Sequence, residues 1–524
     1  MGKDVLMMEA DAGIEYDVFP LGAGPKAIFS MDTRRTQVNN NTLVVGGTGA
    51  GKTIGVAYPM LMHLQHGNAV GIFTKRGMTD SIRQLLKKRG YRIYEIDFSN
   101  PETSPFGYDP LKHCRDDADI MALAHSIIYG KEDGQRLQDP FWYDSAESLL
   151  RPVLRYVWRG LYHDGDSLLD AVKLMDTIPM TTCRDWGRAC EQIEDDEDND
   201  NDNKKDNVAH GRPDIIDSLI ERYHMTEDTK MEVKLGACPQ GIGSRFQEEE
   251  KQEPKEPEDF FEEEDPKHQK LLLREIKALM DSDKEGAASW MAYINGPDNT
   301  RQSVMMALQT PLAQVFTPSI RCFLENPREF TFERLLEPKT VLFVYTSPVN
   351  AALSRFISIF YQQMFKCLFE LAEKRNGGTL PHPVYVICDD FATGVPIDHF
   401  QDHISIFREK GISVTMLIQS ETQLTGLYGE ANAKTIINNC DTYIYLGGMD
   451  IVTAKAIAER MDCPYTDILN MEIGRELLFH RGQKPLRTKR YDLFHDPLYA
   501  ECQQPEKVRQ LIVRDSDDVN LSLW

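Results

Sequence analysis

Thr42-Leu43-Val44-Val45-Gly46-Gly47-Thr48-Gly49-Ala50-Gly51-Lys52-Thr53 joins an apolar run to a glycine-rich run that ends in Lys-Thr. The apolar, β-branched residues 42–45 predict a buried strand, the glycine run a tight loop, and a helical pattern begins near Thr53. Gly46, Gly47, Thr48, Gly49, Ala50 and Gly51 let backbone N–H groups approach and wrap phosphate oxygens. Lys52 is placed to reach the β- and γ-phosphates, and Thr53 to ligate Mg²⁺. The stretch therefore predicts a site for ATP with Mg²⁺.

Working outward, similar apolar and aromatic runs recur at 69–73, 92–96, 340–346, 384–388, 412–418 and 442–446. Nearly continuous apolar runs are how strands buried on both faces of a mainly parallel sheet read. Between them, Leu353, Phe356, Ile357, Phe360, Met364, Cys367, Leu368 and Leu371 recur at helical spacing within 351–375, before Gly377-Gly378. Strand-forming runs thin out between about 140 and 335, where helical stretches appear at 145–160, 269–281 and 301–316. The expected fold is α/β. A nucleotide-binding domain in two parts, 1–140 and 336–524, is interrupted by an inserted all-α domain at 141–335.

The net charge of −23 argues against a nucleic-acid partner only until it is localised. Residues 191–270 hold 26 acidic against 11 basic side chains, leaving a net of about −8 for the other 444 residues. Acidic low-complexity stretches at 194–207 and 247–265 read as solvated loops. No run of 18 apolar residues appears and the start lacks a signal peptide, so the expectation is a cytoplasmic protein with no transmembrane segment. Ten cysteines without a CxxC pair fit reduced thiols.

The phosphate loop needs an acid on a neighbouring strand to complete the Mg²⁺ shell. Val384-Tyr385-Val386-Ile387-Cys388-Asp389-Asp390 supplies two at the carboxyl edge of a sheet. Asp389 is the candidate on the Mg²⁺ side, and Asp390 the candidate to polarise the attacking water. Gln419 ends the strand 412–418, from where an amide can sense the γ-phosphate, and Arg408 ends a helical run at 399–410. His399 and His403 are spaced i,i+4, but no HExxH pattern and no third ligand accompany them, so they read as surface or satisfied histidines.

From about Asn41 to Tyr499 the chain resembles the type IV coupling proteins, the ATPases of conjugative DNA transfer. The resemblance rests on residues 43–53; Asp139-Pro140-Phe141-Trp142; Cys388-Asp389-Asp390-Phe391; Ile418-Gln419-Ser420-Glu421-Thr422-Gln423-Leu424 with Tyr428-Gly429; and Asn439-Cys440-Asp441-Thr442. It implies a RecA-like P-loop NTPase domain with the all-α insert, working as a homo-hexamer peripheral at the inner face of the cell membrane. The implied partners are DNA, relaxase or another secretion substrate, type IV secretion channel components and a membrane-anchoring partner. Gln419 then corresponds to a nucleotide sensor, and Arg408 to an arginine finger acting across the subunit boundary.

This sequence departs from the family pattern in three places. Asp389-Asp390 stands where Asp-Glu is usual, which leaves Asp390 one methylene short and implies slow turnover. Thr74-Lys75-Arg76-Gly77 stands where many members have Asp-Pro-Lys-Gly, with Lys75 and Arg76 still able to meet phosphates. The amino-terminal anchor of the family is missing, so the chain is either a shortened form or a soluble member brought to the membrane by a partner. Competing readings are an FtsK-type DNA translocase and a nucleotide-gated docking adaptor that moves nothing.

Overall fold

The structure, a computed structural model, describes residues 16–129, 140–162, 167–177, 278–279, 281–347, 351–391, 396–397 and 399–503. The acidic stretches 194–207 and 247–265, Asp139 and most of the helical stretch 269–281 lie outside these residues.

Two short strands, β1 (Val18–Pro20) and β2 (Ile28–Ser30), pair antiparallel ahead of the main sheet. The seven runs singled out in the sequence are all strands: β3 (Thr42–Val45), β4 (Asn68–Phe73), β5 (Arg92–Asp97), β6 (Thr340–Tyr345), β7 (Val384–Cys388), β8 (Ile412–Ile418) and β9 (Thr442–Tyr445). They form one sheet in the order β9-β3-β8-β7-β4-β6-β5, with each neighbouring pair parallel. β10 (Arg475–His480) and β11 (Leu486–Lys489) extend the β9 edge antiparallel.

The continuous apolar runs are explained by burial on both sides. Leu43, Val45, Val386, Cys388, Met416 and Ile418 face one hydrophobic cluster, while Val44, Tyr385, Ile387 and Leu417 face another, following the period of two along each strand. On the first face pack the helices Asp117–Ile128, Phe141–Trp158, Asp298–Val315 and Ala351–Glu373, through Ile120, Leu149, Leu308 and Phe356. The described residues between β5 and β6 are otherwise helices and connections, so the chain leaves the sheet for a helical section before returning. That section shares its apolar core with the sheet.

The second face is covered by Phe19, Leu21 and Phe29 of the amino-terminal hairpin, by the helices Tyr58–Met62 and Thr79–Lys88, and by Leu493 and Cys502 near the carboxyl end. Buried Asp17 fastens the hairpin, accepting from the backbone N–H groups of Gln65, His66 and Gly67 at 2.6, 3.0 and 2.7 Å. Three such donors satisfy a carboxylate that burial would otherwise penalise.

Candidate nucleotide site

At the carboxyl edge of β3 the chain enters the glycine loop. Gly46 N–H donates to the Ile418 carbonyl of β8 and Gly47 N–H to the Gly447 carbonyl beyond β9, at 3.1 and 2.8 Å, so both flanking strands hold the loop. A Cβ on Gly46 would lie only 3.0 Å from the Cβ atoms of Ala50 and Leu446. Gly51 turns the chain at φ +85°, a conformation side chains resist. The following residues Thr53–Ala57 form a π-turn before the helix Tyr58–Met62, a widened turn often found at functional sites.

Lys52 is 7% exposed, and its Nζ donates to the Gly46 carbonyl at 2.7 Å, curling over the loop. Burial lowers its pKa, opposed by the charges of Asp390 and Asp389. Thr53 Oγ1 donates to Asp389 Oδ2 at 2.9 Å. Burial also raises the pKa of Asp389; the Thr53 hydrogen bond and the Lys52 charge oppose that rise, and Asp390 adds to it. A hydroxyl oxygen and a carboxylate in contact form a hard-oxygen donor set suited to Mg²⁺.

Contrary to the sequence-based expectation, the acids do not stand on the strand next to the loop's own. β7, which carries both acids, does not neighbour β3, because β8 runs between them. Asp389 reaches Thr53 across the end of β8, and Gln419, the next residue of that strand's chain, stands between the phosphate loop and the acids. Thr48 Oγ1 is 3.5 Å from Gln419 Oε1. Asp390 adopts φ +53° and accepts from Thr74 Oγ1 at 3.4 Å, so the turn after β7 aims it toward the end of β4.

Arg408 lies elsewhere. Its helix, Phe400–Lys410, runs back from the carboxyl edge and ends just before β8 begins, at the opposite edge of the sheet from the loop. There Arg408 Nη2 donates to the Thr33 carbonyl at 3.4 Å. A seven-residue strand spans roughly 20 Å, so Arg408 is remote from the phosphate loop of its own chain.

The Arg76 guanidinium is paired with Glu95 and Asp97 at 2.7 and 2.6 Å and lies over the Tyr345 ring, while the neighbouring Lys75 is exposed. Those acids sit on β5, beyond β6, and only the sheet order brings the three strand ends together. His399 pairs with Asp402 at 3.4 Å. Among the described residues, no helix is long and apolar enough to cross a membrane.

The sequence reading missed Arg490, whose Nη1 donates to the Ala50 carbonyl at 2.6 Å. The available signal was Gly55, a glycine outside the loop motif in a helical run.

The sequence profile of a family described as Type IV secretory system conjugative DNA transfer matches residues 16–462. No curated protein matches the sequence. The fold is similar to that of the bacterial conjugative coupling protein TrwBdeltaN70. In the unbound monoclinic form of that protein the TM-score is 0.52 at 15% identity, covering 90% of this chain and 88% of that one. In its trigonal form with sulphate the TM-score is 0.51 at 14% identity, covering 86% and 85%. At these identities the likeness shows the fold alone.

Proposed function

Because the chain belongs to the type IV secretory system conjugative DNA-transfer family, we propose that it is an ATP-driven coupling protein that recruits DNA or relaxase–DNA substrates and moves them into a secretion channel. The observation that carries this reading is the contact between Thr53 and Asp389, residues 336 apart in sequence, beside Lys52 at the carboxyl edge of the sheet. That is the arrangement a Mg²⁺-nucleotide needs.

In this reading the loop beyond Gly47 cradles the phosphates with its N–H groups, while those of Gly46 and Gly47, committed to the Ile418 and Gly447 carbonyls, anchor it to the flanking strands rather than binding the nucleotide as the sequence pattern predicts. Lys52 leaves the Gly46 carbonyl to neutralise the β/γ oxygens. Thr53 and Asp389 hold Mg²⁺, which supplies positive charge where the transition state gathers negative charge. Asp390 accepts a proton from, or orients, the attacking water, and Gln419 detects whether the terminal phosphate is present. Arg408, held far from its own loop, acts in the site of the adjacent subunit, which requires a ring; a homo-hexamer supplies one. The helical section within 141–335 is the all-α insert of this motor, seated on the sheet through their shared apolar core. Channel components and a membrane-anchoring partner then keep the ring at the inner face of the membrane.

The family match favours this reading over an FtsK-type translocase. A docking adaptor with the same loop would bind ATP and barely turn it over, a possibility raised by the short Asp390. Hydrolysis measured with and without single- and double-stranded DNA separates the two. A motor is stimulated severalfold by DNA, whereas an adaptor shows ATP binding with hydrolysis near background in all three conditions.

A further inference from the structure

Arg490 follows β11 and folds back over the first turn after the phosphate loop. A Cβ on Gly51 would overlap its guanidinium, and one on Gly55 would stand 2.8 Å from its Cγ and Cδ. Gly51 belongs to the phosphate-binding motif, but Gly55 does not, and glycine is among the poorest residues within a helical turn. The close passage of the arginine's methylenes accounts for it.

The side from which Arg490 arrives identifies what it can touch. Gly51 and Gly55 face the same way, on roughly the opposite side of the turn from Thr53. In the sheet, β9, β10 and β11 lie to one side of β3, while Gln419 and the two acids come from β8 and β7 on the other. The γ-phosphate and Mg²⁺ machinery is therefore all on one flank, and Arg490 stands on the other, where the nucleoside half must leave the loop. One in-plane N–H of the half-exposed guanidinium is committed to Ala50, which leaves its flat face for another group.

We propose that the Arg490 guanidinium is the platform on which the base of the bound nucleotide stacks, clamped flat by Ala50 and by the Gly51–Gly55 face. The proposal rests on the reading of residues 46–53 as a nucleotide site. Guanidinium planes stack on aromatic faces. Every base has such a face, so the platform holds purines without choosing between them.

The test is displacement of a fluorescent ATP analogue by ATP, GTP and inorganic triphosphate, using the full chain and the variants Arg490→Ala, Gly55→Ala and Lys52→Ala. Arg490→Ala is expected to weaken ATP and GTP alike by about tenfold, with inorganic triphosphate competing as in wild type. Gly55→Ala, which unseats the arginine while leaving it in the chain, should give the same pattern. Unchanged ATP affinity in Arg490→Ala would overturn the proposal. So would a parallel loss of ATP and triphosphate affinity, because it would make Arg490 a strut of the loop. A wild type that binds no nucleotide, or a Lys52→Ala variant that binds as wild type does, would overturn the phosphate-loop reading and this proposal with it.

Discussion

Replacing Glu476 by Gln should make the protein more stable, and increasingly so as pH rises. Glu476 is 0% exposed on β10, wedged beneath Gly22 so closely that a Cβ there would overlap its Oε1, and neither of its oxygens has a hydrogen-bond partner. Burial pushes its pKa from 4.5 to about 8, with the charge of Arg490 offsetting part of the rise. The folded protein therefore holds a proton that the unfolded chain releases near pH 4.5. The associated stability is fully present below that pH and is lost as pH rises through about 8. Each tenfold change in proton affinity is worth 1.36 kcal/mol, so the whole span is at most ~5 kcal/mol, and relaxation around the charge reduces it to roughly 2–4 kcal/mol. Glutamine keeps the shape and has no proton to lose. Melting temperatures of wild type and Glu476→Gln should nearly coincide at pH 5 and separate by several degrees at pH 9, the variant higher. Every other titrating group is common to the two proteins, so parallel melting curves across that range would refute the reasoning.

Asp389→Asn should raise the melting temperature of the nucleotide-free protein while abolishing Mg²⁺-dependent hydrolysis, because it removes a carboxylate whose ionisation burial opposes. The gain should grow with pH, since a raised carboxyl pKa means stability lost on deprotonation, and a variant that melts lower would contradict this account. Arg408→Ala should keep its affinity for ATP and lose DNA-stimulated hydrolysis by roughly 10³-fold or more. Mixed rings of Arg408→Ala and Lys52→Ala subunits should regain activity wherever an intact loop meets an intact arginine. Dead mixtures that demonstrably co-assemble would return Arg408 to a helix-end surface charge.

The parallel sheet was legible because each of its strands is buried on both faces, which leaves apolar runs such as Val384–Cys388 with no polar interruption. The strands outside that core were not. β11, Leu486–Lys489, alternates exposed and half-buried residues on the sheet edge, and its basic side chains look like a loop while guarding an open edge. The phosphate loop is contiguous in sequence and could be read entire. What spacing could not reveal is strand order: that β8 slips between β3 and β7, or that β5 presents Glu95 and Asp97 to Arg76 across β6. Arg490 is a single basic residue after a weak strand, and its place over the loop exists only once β10 and β11 extend the β9 edge.

The most direct test of the central claim is steady-state hydrolysis of ATP with Mg²⁺ by wild type and by Lys52→Ala. Lys52 donates to the loop's own Gly46 carbonyl and is a member of neither hydrophobic cluster, so its loss should leave the fold in place. Wild type should hydrolyse ATP and the variant should not exceed background, with an unchanged circular dichroism spectrum. Equal rates in the two proteins would contradict that claim.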